Sequence, residues 1–339
     1  MKIKFRDIRL SSDNRRKLEI INEIIGEYQE QGYVLTLRQL YYQLVSRDII
    51  PNALPEYAKV SKLLKEGRMA GIVDWDAIED RLRKPHTPAS WSSPKDILQA
   101  CIQSFQLPRM KGQENYLEVW VEKDALSGVL KRVTEKYHVP ILVNRGYSSA
   151  SAMYDSYNRF KDAIEENQKC TILYLGDYDP SGIDMIRDIR DRVTEFLVGS
   201  EVMRDIFRGH SEYQKYYDEW FNECVNNQGL DEDDETIEIN AFDEWLKLQF
   251  EIIPIALTLE QIQLYQPPPN PAKITDPRSG KFIAELGKTS WEVDALRPDV
   301  LNQLLEDEIT VRINEGLYEE ILNEEKGHIK TLIGFKESI

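Results

Sequence analysis

Asp177 and Asp179 are two residues apart in Gly176-Asp177-Tyr178-Asp179-Pro180-Ser181-Gly182, directly after the apolar run Ile172-Leu173-Tyr174-Leu175. Carboxylates so spaced can share a hard divalent cation such as Mg²⁺, which keeps part of its water shell and bridges to phosphate oxygens. Glu122 is a third acid, following the run Leu117-Glu118-Val119-Trp120-Val121. A metal held among them would polarise a phosphodiester and stabilise charge on the leaving oxygen. The plainer alternative is that Asp179 only caps the next helix and Asp177 only solubilises a turn.

Tyr42 is the candidate nucleophile. Thr36-Leu37-Arg38-Gln39 fits a capping box, with a helix from Leu37 to about Arg47. Its stripe of Leu37, Leu40, Tyr41, Leu44 and Val45 turns Tyr41 inward. Tyr42 is rotated by about 100° toward the polar side, one turn from Arg38. A cation beside a phenol favours the phenolate, the form that attacks phosphorus. The alternative is an ordinary surface tyrosine.

Strands must carry the carboxylates. Unbroken apolar runs at 117–121, 139–143 and 172–175 read as strands buried on both faces, each followed by an amphipathic helix. That order implies an α/β fold with a parallel sheet, whose ligands sit at the strands' carboxyl ends. Glu122 and Asp177 both occupy such ends. Asp179 is placed as an N-cap with Pro180 at the first helical position. The segment 251–257 is a later strand, and Pro267-Pro268-Pro269-Asn270-Pro271 is a stiff linker.

A strand-end Glu followed by Asp-x-Asp with Pro and Gly behind it resembles the Toprim domain of topoisomerases, primases and certain nucleases. The resemblance implies Glu122 as general acid/base or metal ligand, and Asp177 and Asp179 as Mg²⁺ ligands. With Arg38-Gln39-Leu40-Tyr41-Tyr42 upstream, the chain is similar to the A subunit of type IIB topoisomerases (topoisomerase VI) and its relative, the meiotic double-strand-break protein. The compact bacterial, plasmid and phage forms are the nearest in layout. Trp291-Glu292-Val293-Asp294-Ala295-Leu296 resembles that family's C-terminal segment.

By this resemblance, residues 1–100 form a winged-helix-like (helix-turn-helix) domain and 113–305 a Toprim domain with a Rossmann-like sheet. An acidic insertion falls at about 200–245, and 306–339 is an acidic helical end. The resemblance also implies that Tyr42, partnered by Arg38, attacks double-stranded DNA and becomes linked to the 5′ phosphate. It implies a homodimer too. Gly287-Lys288-Thr289 lacks the upstream glycine of a P-loop, since position 282 is Phe. An ATP-driven gate would therefore need a separate, B-type ATPase subunit.

Two rival readings stay open. In the first, water cuts the DNA hydrolytically and Tyr42 only positions the strand. In the second, the chain is a non-catalytic DNA-binding adaptor, against which stands the repulsion of three unpaired carboxylates.

Basic side chains give the expected DNA face. After Pro55, Tyr57, Val60, Leu63 and Leu64 make the inner side of a helix that carries Lys59, Lys62, Lys65 and Arg68 outside. Residues 72–82 would form a wing, with Arg81-Leu82-Arg83-Lys84 as its basic exit. Lys123, Arg145 and Lys273 are further phosphate contacts or plain surface cations. Ser148 opens a helix whose N–H groups would hold a second phosphate, or it caps that helix, as Ser149 also can.

The net charge of −16 argues against general nucleic-acid binding, but its distribution is uneven. Residues 1–99 hold 17 basic against 14 acidic side chains, whereas 200–245 hold 3 against 14. The run Asp231-Glu232-Asp233-Asp234-Glu235 reads as an exposed loop, either a flap near a DNA channel or a solubilising surface. Three cysteines without pairing or metal spacing suit a reducing cytoplasm. No apolar stretch approaches membrane-spanning length.

Overall fold

The computed structural model describes residues 1–79, 88–144, 146, 148–271, 282–284 and 287–338. Arg145, Lys273 and the expected basic exit at 81–84 lie outside the described residues.

The chain opens with three helices, α1 (Ser12–Glu30), α2 (Leu37–Ser46) and α3 (Leu54–Met69). The capping box of α2 is present: Thr36 N–H donates to Gln39 Oε1 at 2.8 Å, and Gln39 N–H donates to Thr36 Oγ1 at 3.3 Å. Leu18, Ile21 and Ile25 of α1 pack with Leu40 and Leu44 of α2 and Val60 and Leu64 of α3 in one apolar cluster. Two expectations fail here. Residues 72–79 form a turn and a single 3₁₀ turn, Trp75–Ala77, tied to the rest by the isolated bridge Leu35–Ile78. No strand pair forms a wing among the described residues. Arg68 also faces inward, donating to the carbonyls of Trp75 at 3.0 Å and Ile78 at 2.9 Å. Lys59 and Lys62 remain well exposed, beside Glu56 and Glu66 respectively.

After α4 (Pro94–Ser104) the sheet begins. Its strands are β1 (Asn115–Val121), β2 (Ile141–Val143), β3 (Lys169–Leu175) and β4 (Phe250–Ala256). All pair in parallel, in the order β2-β1-β3-β4. Between them run α5 (Asp124–Tyr137), α6 (Ala150–Glu165), α7 (Pro180–Val198), α8 (Glu201–Gly209), α9 (Tyr213–Phe221) and α10 (Glu235–Gln249). Beyond β4 come α11 (Leu259–Tyr265), a two-residue pairing of β5 (Asn270–Pro271) with β6 (Thr289–Ser290), α12 (Pro298–Thr310) and α13 (Glu315–Glu337).

The apolar runs are continuous because both sheet faces are covered. Val119, Val121, Leu173 and Leu175 meet Leu126 and Leu130 of α5 and Leu301 and Leu305 of α12. Alternate residues Trp120, Ile172 and Tyr174 turn to the other face, under Met153 of α6, Met185 of α7 and Trp245 of α10. The acidic segment belongs to this second layer. Met203 and Phe207 of α8 and Phe242 and Trp245 of α10 are buried against the sheet residues, while the turn at 231–233 stays exposed. It is therefore a cover whose outer surface is acidic, and the flap reading is not supported.

Strand order places the site. The chain leaves β1 toward β2 on one side and takes up β3 on the other, so the carboxyl ends of β1 and β3 form a switch point where a crevice opens. Among the described residues no helix is long and apolar enough to cross a membrane.

Candidate metal centre

Glu122 and Asp177 emerge side by side at that switch point. The ladder runs one residue past β1, with Glu122 N–H donating to the Leu175 carbonyl at 3.0 Å. Glu122 Oε2 then accepts the Asp177 N–H at 2.9 Å. Asp179 caps α7, its Oδ1 accepting the Gly182 N–H at 2.7 Å. The plainer sequence reading of Asp179 is thus realised.

The partners of Asp177 come from elsewhere. Tyr178 and Trp291 exchange backbone hydrogen bonds at 2.8 and 3.0 Å, which lays the segment 291–296 along the Asp-x-Asp loop. Val293 N–H donates to Asp177 Oδ1 at 2.9 Å. Glu292 and Asp294 are thereby brought to Asp177, and one carboxylate oxygen from each of the three lies within 4.8 Å of the others. Glu122 and Asp179, expected as ligands, stand outside this group. Glu292 and Asp294 were missed as ligands because the segment 291–296 reads as apolar and short. A signal was present: two acids two residues apart in an otherwise apolar stretch repeat the spacing of Asp177 and Asp179.

Two basic side chains enter the group. Lys123 Nζ lies 2.7 Å from Asp177 Oδ1, 2.9 Å from Glu292 Oε2 and 3.3 Å from Asp294 Oδ1. It is a buried counter-ion, and the reading of Lys123 as a surface phosphate contact is corrected. Arg38 of α2 donates to Glu292 and brings Nε within 2.9 Å of Asp294 Oδ2. That oxygen is buried, and its partner is the Arg38 charge. The three carboxylates are hard oxygen donors suited to a divalent ion, and the group could hold one where Lys123 and Arg38 now supply the positive charge.

The electrostatics are divided. Burial raises the Asp177 carboxyl to about 7, and neighbouring Glu122 and Asp294 push in the same direction against Lys123. Burial also raises Glu122, partly offset by the Asp177 N–H. Burial opposes ionisation of Glu292 too, but Lys123 and Arg38 outweigh it and hold that group at about 2. Burial opposes the charge on Lys123, and Asp294, Asp177 and Glu292 more than restore it. Since Lys123 and Arg38 neutralise much of the cluster, repulsion among unpaired acids is no longer an argument against an adaptor role.

Tyr42 is not on a polar surface. Only 4% of it is exposed, because α2 is enclosed on nearly every side and Ala295 closes the flank left open in the helical pattern. Its hydroxyl accepts a long 3.5 Å hydrogen bond from Asn270 Nδ2. Burial raises the phenol well above its ordinary range, and Glu292 and Asp294 add to this more than Arg38 relieves it. Arg38 does act on the phenol in the expected direction, but the two acids it pairs with and the burial outweigh it.

Ser148 is likewise engaged: its hydroxyl donates to Asn144, and its carbonyl accepts from Arg192 at 2.6 Å. Ser149 is the cap of α6, accepting the Ala152 N–H at 3.2 Å. The helix start is therefore held by protein groups, as the capping alternative supposed.

Two glycines allow this loop to close. A Cβ on Gly182 would stand 2.1 Å from the Asp177 carbonyl oxygen, and one on Gly176 would stand 2.5 Å from the Tyr174 ring. Gly182→Ala should cost about 2 kcal/mol of stability in urea unfolding, although alanine is the better helix former. An unchanged or raised midpoint would show that this approach is not required.

A scan of protein-family models finds no match to the chain, and searches among curated proteins and solved structures return no significant similarity.

Proposed function

We propose that this chain is a Mg²⁺-dependent DNA-cleaving protein of the Toprim kind, related in layout to the A subunit of topoisomerase VI. The observation that carries the proposal is the grouping of Asp177, Glu292 and Asp294 at the carboxyl end of a parallel sheet. Bound there, Mg²⁺ would polarise a phosphodiester and stabilise charge on its leaving oxygen. Asp177, Glu292 and Asp294 would hold the ion. Glu122, which accepts the Asp177 N–H and whose carboxyl is raised by burial, would carry the proton in this reading. The helices α1–α3, with Lys59 and Lys62 exposed, would supply the helical part that lies along double-stranded DNA. A homodimer and a separate ATPase subunit follow from the family resemblance.

For the nucleophile, the geometry favours water. A phenol with 4% exposure and a pKa pushed upward is poorly prepared to attack. The second reading, attack by Tyr42, rests on the connection of α2 to the acids through Arg38, which places both residues on one helix beside the metal group.

The test is incubation with supercoiled DNA and Mg²⁺, followed by denaturation. Nicking without protein-linked DNA, retained in Tyr42→Phe, is expected for hydrolysis. Adducts that vanish in Tyr42→Phe would establish the tyrosine route instead. DNA binding that ignores Mg²⁺ and leaves the strand intact would overturn cleavage in favour of an adaptor.

A further inference from the structure

Between α2, α3, the turn around Trp75 and the start of α5 lies a cavity of about 540 Å³. Small-molecule sites span about 300–1,000 Å³, so this one is large enough to hold a ligand. It adjoins the acid group, because Arg38 lines it and also contacts Glu292 and Asp294.

Its basic side chains are short of partners. Tyr57, Ser61, Lys65 and Arg68 recur at helical spacing, so α3 presents all four to the cavity along one face. Arg68 spends Nη2 on the carbonyls of Trp75 and Ile78, while its Nε is buried with no hydrogen bond. Burial holds this guanidinium below its ordinary range, and Asp74 and Asp76 restore it only in part. Lys65 and the Ser61 hydroxyl have no side-chain partner among the described residues. The two acids that also line the cavity, Glu79 and Asp124, are already engaged. A half-buried cation without a counter-ion is costly, so an anion from outside would complete the site.

The surroundings say which anion. Leu37 and Arg38 at the start of α2, and Asp124 and Ala125 at the start of α5, line the same cavity. Thr36 caps only one of the first amides of α2, and no side chain caps α5. First-turn amides left over in this way favour phosphate oxygens, as do a guanidinium fork and an ammonium. The remaining wall is flat and apolar, formed by the rings of Tyr57 and Trp75. The Arg68 guanidinium lies 5.8 Å from the centre of the Trp75 ring, which sets charge and aromatic surface side by side. Phosphate contacts beside an aromatic wall suit a nucleotide, whose base has a face to stack. A base paired within a duplex cannot reach such a wall unless it leaves the stack.

We propose that this cavity binds an unpaired nucleotide, its phosphate held by Lys65 and Arg68 and its base laid against Tyr57 and Trp75. The assignment does not rest on metal-dependent cleavage, because it is tested without metal.

Adenosine 5′-monophosphate is titrated into the full chain by calorimetry in EDTA, without DNA. Saturable binding is expected, with adenosine and inorganic phosphate each weaker by about tenfold or more. Lys65→Gln should weaken the mononucleotide by about tenfold at an unchanged urea midpoint. Lys17→Gln, on α1 and outside the cavity, should leave binding as it was. Competition by single-stranded but not duplex DNA would identify the ligand as an unpaired nucleotide of a strand. Competition by neither would identify it as a free nucleotide, and both results uphold the site. No binding at millimolar mononucleotide overturns the proposal, as does binding unchanged in both Lys65→Gln and Arg68→Gln. Inorganic phosphate that binds equally well overturns it in favour of a general anion site. Duplex DNA that competes as well as single strands overturns it in favour of a backbone contact. Nicking in Mg²⁺ is scored separately, so either reading can fail alone.

Discussion

Lys123→Met is expected to destabilise the protein by about 3 kcal/mol in EDTA and to make its stability respond steeply to Mg²⁺. The Lys123 side chain is 18% exposed, and its ammonium contacts Asp177, Glu292 and Asp294 at once. Removing one partner of a buried ion cluster leaves charges without compensation, which costs about 3–5 kcal/mol. Methionine keeps the apolar stem and much of its volume, so packing contributes little to the loss. A divalent ion would replace the missing charge. Since it binds the folded state, it would return stability in proportion to the logarithm of its concentration. Wild-type protein should show a weaker response, because there the ion must displace Lys123. Urea unfolding in EDTA and in a Mg²⁺ series checks both halves. A variant as insensitive to Mg²⁺ as wild type would mean that the acids serve Lys123 and Arg38 alone.

Much of the scaffold under this site was readable in the chain. The strands at 115–121 and 169–175 announce themselves because burial on both faces forbids polar alternation, and the helices after them carry one apolar stripe each. Local chemistry was readable for the same reason that it is local: Thr36 with Gln39, and Asp179 with Gly182, interact within one turn. What escaped depends on distant partners. Tyr42 was placed by a single stripe on α2, and nothing nearby in sequence says that Ala295 and Asn270 come to cover its other side. Lys123 follows Glu122 in a turn, where its direction is set by acids 54, 169 and 171 positions away. Glu292 and Asp294 acquire meaning only through the pairing of Trp291 with Tyr178. The acidic segment misled for a further reason. Net charge reports the outer face of α8 and α10, whereas Phe207 and Trp245 on the inner face decide where they sit.

Asp177→Asn separates the chemistry from the fold. Burial already raises this carboxyl to about 7, so its neutral form is close in free energy to the charged one near neutral pH. The amide is nearly the same shape, and its oxygen can still accept the Val293 N–H that Oδ1 now takes at 2.9 Å. That same oxygen also faces Lys123 at 2.7 Å, so the contact loses its charge and keeps its acceptor, and Glu292 and Asp294 remain as counter-charges. Stability should therefore fall by about 1 kcal/mol or less. Cleavage should respond quite differently. Asp177 follows β3 of the parallel sheet, and its loss would remove a charged ligand from the ion that would stabilise the leaving oxygen. A penalty of about 4 kcal/mol on the barrier corresponds to roughly a thousandfold in rate. The measurement pairs DNA nicking in Mg²⁺ with urea unfolding of the same preparation. Near-normal folding with nicking at background supports a catalytic centre here, whereas undiminished nicking would place the chemistry elsewhere in the molecule.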